Sequence, residues 1–172
     1  VSFFYAYYYN KNVPELNQDQ APEFRIAAQV TYLLLKQSRL KLNIRSRLED
    51  RHLRNEDGFF EAVGRFRFQA RAVYPFKQNI VKNEFYGFVS DELFFKTKSQ
   101  VSGSEFFDRN RFTGGLGYFI KDDIQLEISY ANEIMPRKQT SQLVNAIQFN
   151  VVFNDFFPNL IKSLKPKKRI LE

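Results

Sequence analysis

The sequence predicts an all-β fold, an antiparallel up-and-down transmembrane β-barrel. Three observations predict it. Apolar and polar residues alternate with period two along most of the chain, and the 3.6-residue period of a helix is nearly absent. The polar partners in that alternation are mainly arginine. Polar turns and loops separate the alternating segments at the spacing a meander of hairpins needs.

The first segment, Val1–Tyr9, is an aromatic run. In the second, Phe24, Ile26, Ala28, Val30, Tyr32 and Leu34 share one face, against Arg25, Ala27, Gln29 and Thr31. The third sets Leu40, Leu42, Ile44, Ser46 and Leu48 against Lys41, Asn43, Arg45, Arg47 and Glu49. The fourth sets Phe66, Phe68, Ala70, Ala72 and Tyr74 against Arg65, Arg67, Gln69, Arg71 and Val73. A helix would smear these sets around its circumference, whereas a strand separates them. Asn83–Phe95 has no clean parity; Phe85, Gly87, Val89, Leu93 and Phe95 make one outer face, with Glu84, Ser90 and Glu92 opposite. Alternation returns with Phe112, Leu116, Tyr118 and Ile120 against Arg109, Arg111, Thr113 and Gly115. Ile124, Leu126, Ile128 and Tyr130 then oppose Gln125, Glu127, Ser129 and Ala131. Leu143, Ile147, Phe149, Val151 and Phe153 close the series. The result is eight candidate strands of roughly 8 to 15 residues, against the ~9–11 a tilted strand needs to cross a bilayer.

Tight turns are expected at Lys36–Ser38, Phe76–Val81 and Lys121–Asp123. Longer loops are expected at Asn10–Pro22, Leu53–Gly58, Lys98–Ser104 and Asn132–Gln142, which gives the barrel one trimmed and one elaborated rim. The barrel domain runs over 1–157. Residues 158–172 form a basic C-terminal tail with Lys162, Lys165, Lys167, Lys168 and Arg169.

Composition narrows the function classes. The 172 residues suffice for one core or one closed barrel. With 44% apolar residues and few Gly and Pro, the chain is neither collagen-like nor wholly disordered. The absence of Cys excludes disulfides, thiolate catalysis and Cys-ligated metals, and one His excludes multi-histidine centres. No cofactor is expected. The net charge of +7 permits anionic partners, but no RNP-like or OB-type segment is present and no nucleic acid is expected. No run of eighteen apolar residues exists, so a transmembrane helix is excluded.

Two closed arrangements fit a period-two pattern: a soluble lipocalin-like binding barrel with an apolar inside, and a membrane barrel with an apolar outside. Arginine decides for the second. Arg25, Arg45, Arg47, Arg65, Arg67, Arg71, Arg109 and Arg111 sit within strands, where a rigid five-donor fork suits crowded ion-pair networks. Most lysines lie in turns, loops or the tail. The opposite face carries aromatics near strand ends (Tyr32, Tyr74, Phe76, Phe95, Tyr130, Phe153) and aliphatics between, as girdles flanking an apolar band would.

From Glu23 to Ala131 the chain resembles the uncharacterised DUF2490 family. The resemblance is carried by "PEFRIAAQV" at Pro22–Val30, "LNIRSRLEDR" at Leu42–Arg51 and "GRFRFQARAVYPF" at Gly64–Phe76. It continues in "VSDELFF" at Val89–Phe95 and "FDRNRFTGGLGYFIKDDIQLEISYAN" at Phe107–Asn132. The resemblance implies an outer-membrane β-barrel of Gram-negative bacteria, surrounded by outer-membrane lipid. Similar proteins carry a signal peptide and a Trp-bearing strand upstream. The resemblance therefore implies that these are the C-terminal eight strands of a 10- to 12-stranded barrel. It brings a location and no activity.

The candidate site is the inward polar face. Arg25, Lys41, Arg45, Arg47, Arg65, Arg67, Arg71, Arg109 and Arg111 face Glu49, Glu61, Glu84, Glu92 and Glu127, an excess of four positive charges. Same-face neighbours such as Arg65 and Arg67 lie about 6.6–6.8 Å apart and repel unless Glu49 or Glu92 reaches between them. The favoured function is a structural or assembly component with an Arg/Glu-filled interior and protein partners in a surface assembly. A narrow anion-preferring pore is the alternative, and a membrane lipid hydrolase built on His52, with Ser46 six residues back, is the third. Asp91-Glu92 should put one carboxylate outward, or kink the strand, with Glu92 pairing to Arg109 or Arg71. Gly115 and Gly117 are expected to make room for arginine across the lumen. A calcium site at Asp108, Asp122 or Asp123 lacks ligand spacing.

Overall fold

The computed structural model describes residues 1–13, 18–35, 39–55, 57–77, 83–121, 124–137 and 140–153, with the backbone alone for 10–13 and 18–21. Eight strands follow one another: β1 (Ser2–Val13), β2 (Gln18–Leu33), β3 (Lys41–Arg54), β4 (Phe60–Pro75), β5 (Phe85–Lys96), β6 (Phe107–Lys121), β7 (Ile124–Met135) and β8 (Gln142–Phe153). They form one antiparallel sheet in the order β1 to β8, a pure meander. Each strand has 12 to 16 residues. β1 and β8 are its two edges.

Register follows the alternation. Ser46↔Phe68, Arg47↔Arg67, Leu48↔Phe66 and Glu49↔Arg65 pair β3 with β4, so like faces meet and charged residues neighbour one another at the middle. Among the described residues no helix and no second layer lies against the sheet, yet one face is buried. Glu23 keeps 1% of its surface exposed and Glu92 2%, which a flat sheet could not achieve. The sheet buries that face by rolling on itself into a half-barrel. Arg71 on β4 reaches Glu127 on β7 at 2.6 Å, across strands that in a flat sheet lie about 14 Å apart.

The two faces are inverted relative to a water-soluble sheet. The concave side holds the arginines and glutamates. The convex side presents Ile26, Val30, Leu48, Phe112, Ile128 and Ile147, all exposed, with Ile147 at 70% and Phe149 at 77%. The small apolar core, Tyr86, Phe88 and Phe119 backed by Val73, lies inside the curl near one end.

The rims differ from expectation. The strands run further than the apolar alternation, so β1 and β2 approach within four residues, and the connections at that end span 14–17, 55–59, 97–106 and 136–141. At the other end they span 34–40, 76–84 and 122–123. Neither rim is uniformly short. Polar residues such as Lys11, Gln20 and Glu133 continue the hydrogen-bonded ladder, and polarity alone had marked them as loop. Residues 36–38, 78–81, Asp122, Asp123 and the tail 158–172 lie outside the described residues.

Candidate functional site

β5 alternates through its full length. Phe85, Val89 and Asp91 point outward, while Tyr86, Phe88, Ser90, Glu92, Phe94 and Lys96 are buried. Strand alternation therefore brings Glu92 onto the same side as the arginines of β3, β4 and β6, at the middle of the concave face.

Two carboxylates organise that middle. Glu49 accepts from Arg65 Nε at 2.7 Å, Arg67 Nη1 at 2.8 Å and Arg47 Nη1 at 3.4 Å. Glu92 accepts from Arg67 Nε at 2.9 Å and Arg45 Nη2 at 3.0 Å, with Arg111 Nη1 at 3.9 Å. Arg67 thus bridges both. Arg47 and Arg67 face each other directly across β3 and β4, a pairing that is destabilising alone. The shared carboxylates and Gln29, which accepts from Arg47 at 2.9 Å, offset it. Phe94 lies at the centre of this cluster. The guanidinium carbons of Arg67, Arg111, Arg65 and Arg109 sit 4.6, 5.2, 5.4 and 5.8 Å from its ring centroid, within cation–π range.

Toward the end that carries the 97–106 loop, Glu23 accepts bidentate pairs from both Arg25 (2.5 and 2.9 Å) and Arg51 (2.5 and 3.0 Å). Glu133 accepts from Arg109 at 2.9 Å and Arg111 at 2.6 Å. A bulge where β6 passes Phe94/Phe95 turns Asp108 inward, to Arg109 and Arg137. Glu61 lies at this rim rather than in the bore. It accepts from Ser99 Oγ at 2.9 Å and the amides of Gln100 and Val101 at 3.0 Å, fastening the 97–106 loop, while buried Lys96 donates to the Ser102 and Gly103 carbonyls at 2.7 Å.

At the opposite end the pairing thins. Glu127 accepts from Arg71, and the Tyr86 hydroxyl lies 2.7 Å from it and 2.8 Å from Gln125 Oε1. Glu84 is buried just before β5 and pairs with Lys77 at 2.7 Å. Lys41, half-buried, has no partner among the described residues.

Several expectations change. Glu92 pairs with Arg67, a diagonal neighbour on the adjacent strand, and with Arg45, which the roll of the sheet carries from β3 toward β5, not with Arg109 or Arg71. For Asp91-Glu92 the first of the two expected outcomes holds: Asp91 faces outward, where Asn110 Nδ2 donates to it at 2.6 Å, and the bulge of this strand pair lies beside Asp108. Neither Gly115 nor Gly117 makes room for arginine: a Cβ on Gly117 would strike the Tyr86 ring, and one on Gly115 would strike the Ile128 carbonyl and Ser129 of the neighbouring strand before the Phe88 ring. His52 lies on the convex face, 3.1 Å from Asp50 and stacked on Phe24 with ring centroids 4.2 Å apart. Ser46 is six residues back on an extended strand, about 20 Å away, so the two cannot form a nucleophile and base. No cluster of metal-ligating side chains occurs among the described residues.

Glu23, Arg51, Glu133, Lys96, Asp108 and Phe94 belong to the network and were not among the candidates. Parity places the first three: Glu23 precedes Arg25 by two, Arg51 follows Glu49 by two, and Glu133 continues the series of Glu127.

The family model described as a protein of unknown function, DUF2490, matches residues 1–144. No curated protein and no solved structure matches the chain.

Proposed function

The chain belongs to the DUF2490 family, and from that premise we propose that it is a non-catalytic outer-membrane β-barrel component of a Gram-negative bacterium. Its interior is filled by Arg–Glu pairs, its convex face meets outer-membrane lipid, and it serves a structural role or a surface assembly with protein partners. The observation that carries this reading is the inversion of the faces: charges buried, large apolar side chains exposed along every strand. Soluble monomers rarely expose an apolar surface of this extent, and a bilayer is the solvent that suits it. A sheet in lipid must pair all its backbone groups, so the β1 and β8 edges meet further strands in the complete barrel, here read as 10- to 12-stranded.

The chain has no native Cys, so single substitutions in vesicles report cleanly. Phe149→Cys is expected to resist a water-soluble thiol reagent while Phe59→Cys, in an exposed loop, reacts. Rapid reaction at Phe149, or a monodisperse protein without detergent, would favour the soluble lipocalin-like barrel. Planar bilayers are expected to show no steady conductance. Reproducible anion-selective current that changes in Arg67→Ala would replace the plug with a narrow anion-preferring pore. Lipid hydrolysis lost in His52→Ala would turn the reading to an enzyme.

A further inference from the structure

Each arginine of the concave face meets at least one carboxylate, whereas at one mouth a lysine meets none among the described residues. There a cavity of about 460 Å³ opens between the ends of the strands, lined by Lys41, Arg71, Val73, Phe119, Glu127 and Val152 among others. That size is in the range of small-molecule sites, roughly 300–1,000 Å³. Its charges do not balance. Arg71 donates through Nη2 to Glu127, which also lies within hydrogen-bond reach of the Tyr86 hydroxyl, and Nε and Nη1 of Arg71 have no acceptor among the described residues. Lys41 has none at all. Lys41 pairs with Val73 across the ladder and Asn43 with Arg71, so the two cations occupy adjacent strands on one face, one same-face step apart. Diagonal neighbours of this kind lie ~7–8 Å apart, and two long side chains can converge on a single acceptor between them.

We infer that this mouth binds a small organic carboxylate. Its carboxylate would take the free edge of the Arg71 fork and the Lys41 ammonium, and its body would lie against Val73, Phe119 and Val152. A guanidinium edge beside an ammonium matches a planar carboxylate. The apolar half of the wall selects an organic acid over a bare inorganic anion. Elsewhere in the bore the arginines meet Glu23, Glu49, Glu92, Glu133 or Asp108, and Lys96 is taken up by the Ser102 and Gly103 carbonyls. The inference depends on the cavity and its charges, not on which solvent meets the convex face.

The probe is 2-naphthoate, titrated by fluorescence and calorimetry into the full chain folded in detergent micelles, with acetate and inorganic phosphate as parallel arms. Saturable binding of one naphthoate per chain is expected, weakened about tenfold or more in Lys41→Gln and retained in Lys41→Arg. Lys41 holds no described partner, so these variants should keep the fold, and circular dichroism checks that they do. Acetate should bind at least tenfold more weakly than naphthoate. Failure to saturate, or equal affinity in Lys41→Gln, overturns the site. Phosphate binding as tightly as naphthoate overturns the organic-acid assignment. Neither conductance nor lipid contact enters these readouts, so they fail or succeed separately from the proposed role.

Discussion

Glu92 is the most informative single position in the network. Its side chain is 2% exposed, and it neutralises Arg67 at 2.8 Å and Arg45 at 3.0 Å. Glu92→Gln keeps the volume and one acceptor oxygen but removes the charge. Breaking a buried pair from one side costs about 3–5 kcal/mol, because the partner charge stays buried without compensation. Here the loss is unevenly shared. Arg67 retains Glu49 and Arg111 retains Glu133, whereas Arg45 loses its only acceptor among the described residues. The Arg45 side chain is 25% exposed and can draw in water, so the lower end applies, about 3 kcal/mol. Reversible urea unfolding in vesicles or micelles, followed by circular dichroism, measures it. Adding Arg45→Gln to Glu92→Gln removes the stranded cation and should restore about half of the loss, a coupling that a double-mutant cycle isolates. A loss below about 1 kcal/mol, or a double variant no better than the single, would refute the idea that paired charge holds the interior together.

Other perturbations test other parts of the account. Ile147→Arg, on the convex face of mid-β8, should cost ~2–4 kcal/mol in vesicles if that face meets lipid, and within ~0.5 kcal/mol if it meets water. Gly117→Ala drives a methyl into the Tyr86 ring, which is held at Glu127 and Gln125; unfolding midpoints should report a loss of ~1–3 kcal/mol, recovered in part when Tyr86 is cut to Val. Glu61→Ala removes the acceptor for Ser99, Gln100 and Val101, and limited proteolysis should then nick the 97–106 loop faster with the strands intact. An unchanged cleavage rate would mean that Lys96 and the Thr97–Gly64 hydrogen bonds fasten the loop without Glu61.

The all-β antiparallel meander and the side each residue takes were legible in the sequence because a side-chain period of two is a backbone property that survives without any alignment. Arg65, Phe66, Arg67 and Phe68 take opposite sides as written. Two kinds of feature were not legible. Strand ends were underestimated, because polar residues such as Glu133 extend a ladder as readily as they make a loop once a neighbour supplies the hydrogen bonds. Pairing across the curl was misjudged as well. Which arginine reaches Glu92 depends on how tightly the sheet rolls, and the bulge that turns Asp108 inward shifts parity in a way that local alternation does not reveal. Phe94 shares the parity of Glu92 and was assigned to neither face; its ring lies among the guanidiniums of Arg65, Arg67, Arg109 and Arg111.

The most direct measurement compares two adjacent residues of β8 in lipid. Ala146 pairs with Ala131 on the concave face and Ile147 with Tyr130 on the convex one. Single Cys substitutions at 146 and 147, each carrying a small fluorophore, are reconstituted in vesicles made with brominated acyl chains. The inverted faces predict strong quenching at 147 and little at 146. Equal quenching at both positions, or stronger quenching at 146, would contradict a charged interior enclosed by a lipid-facing apolar surface.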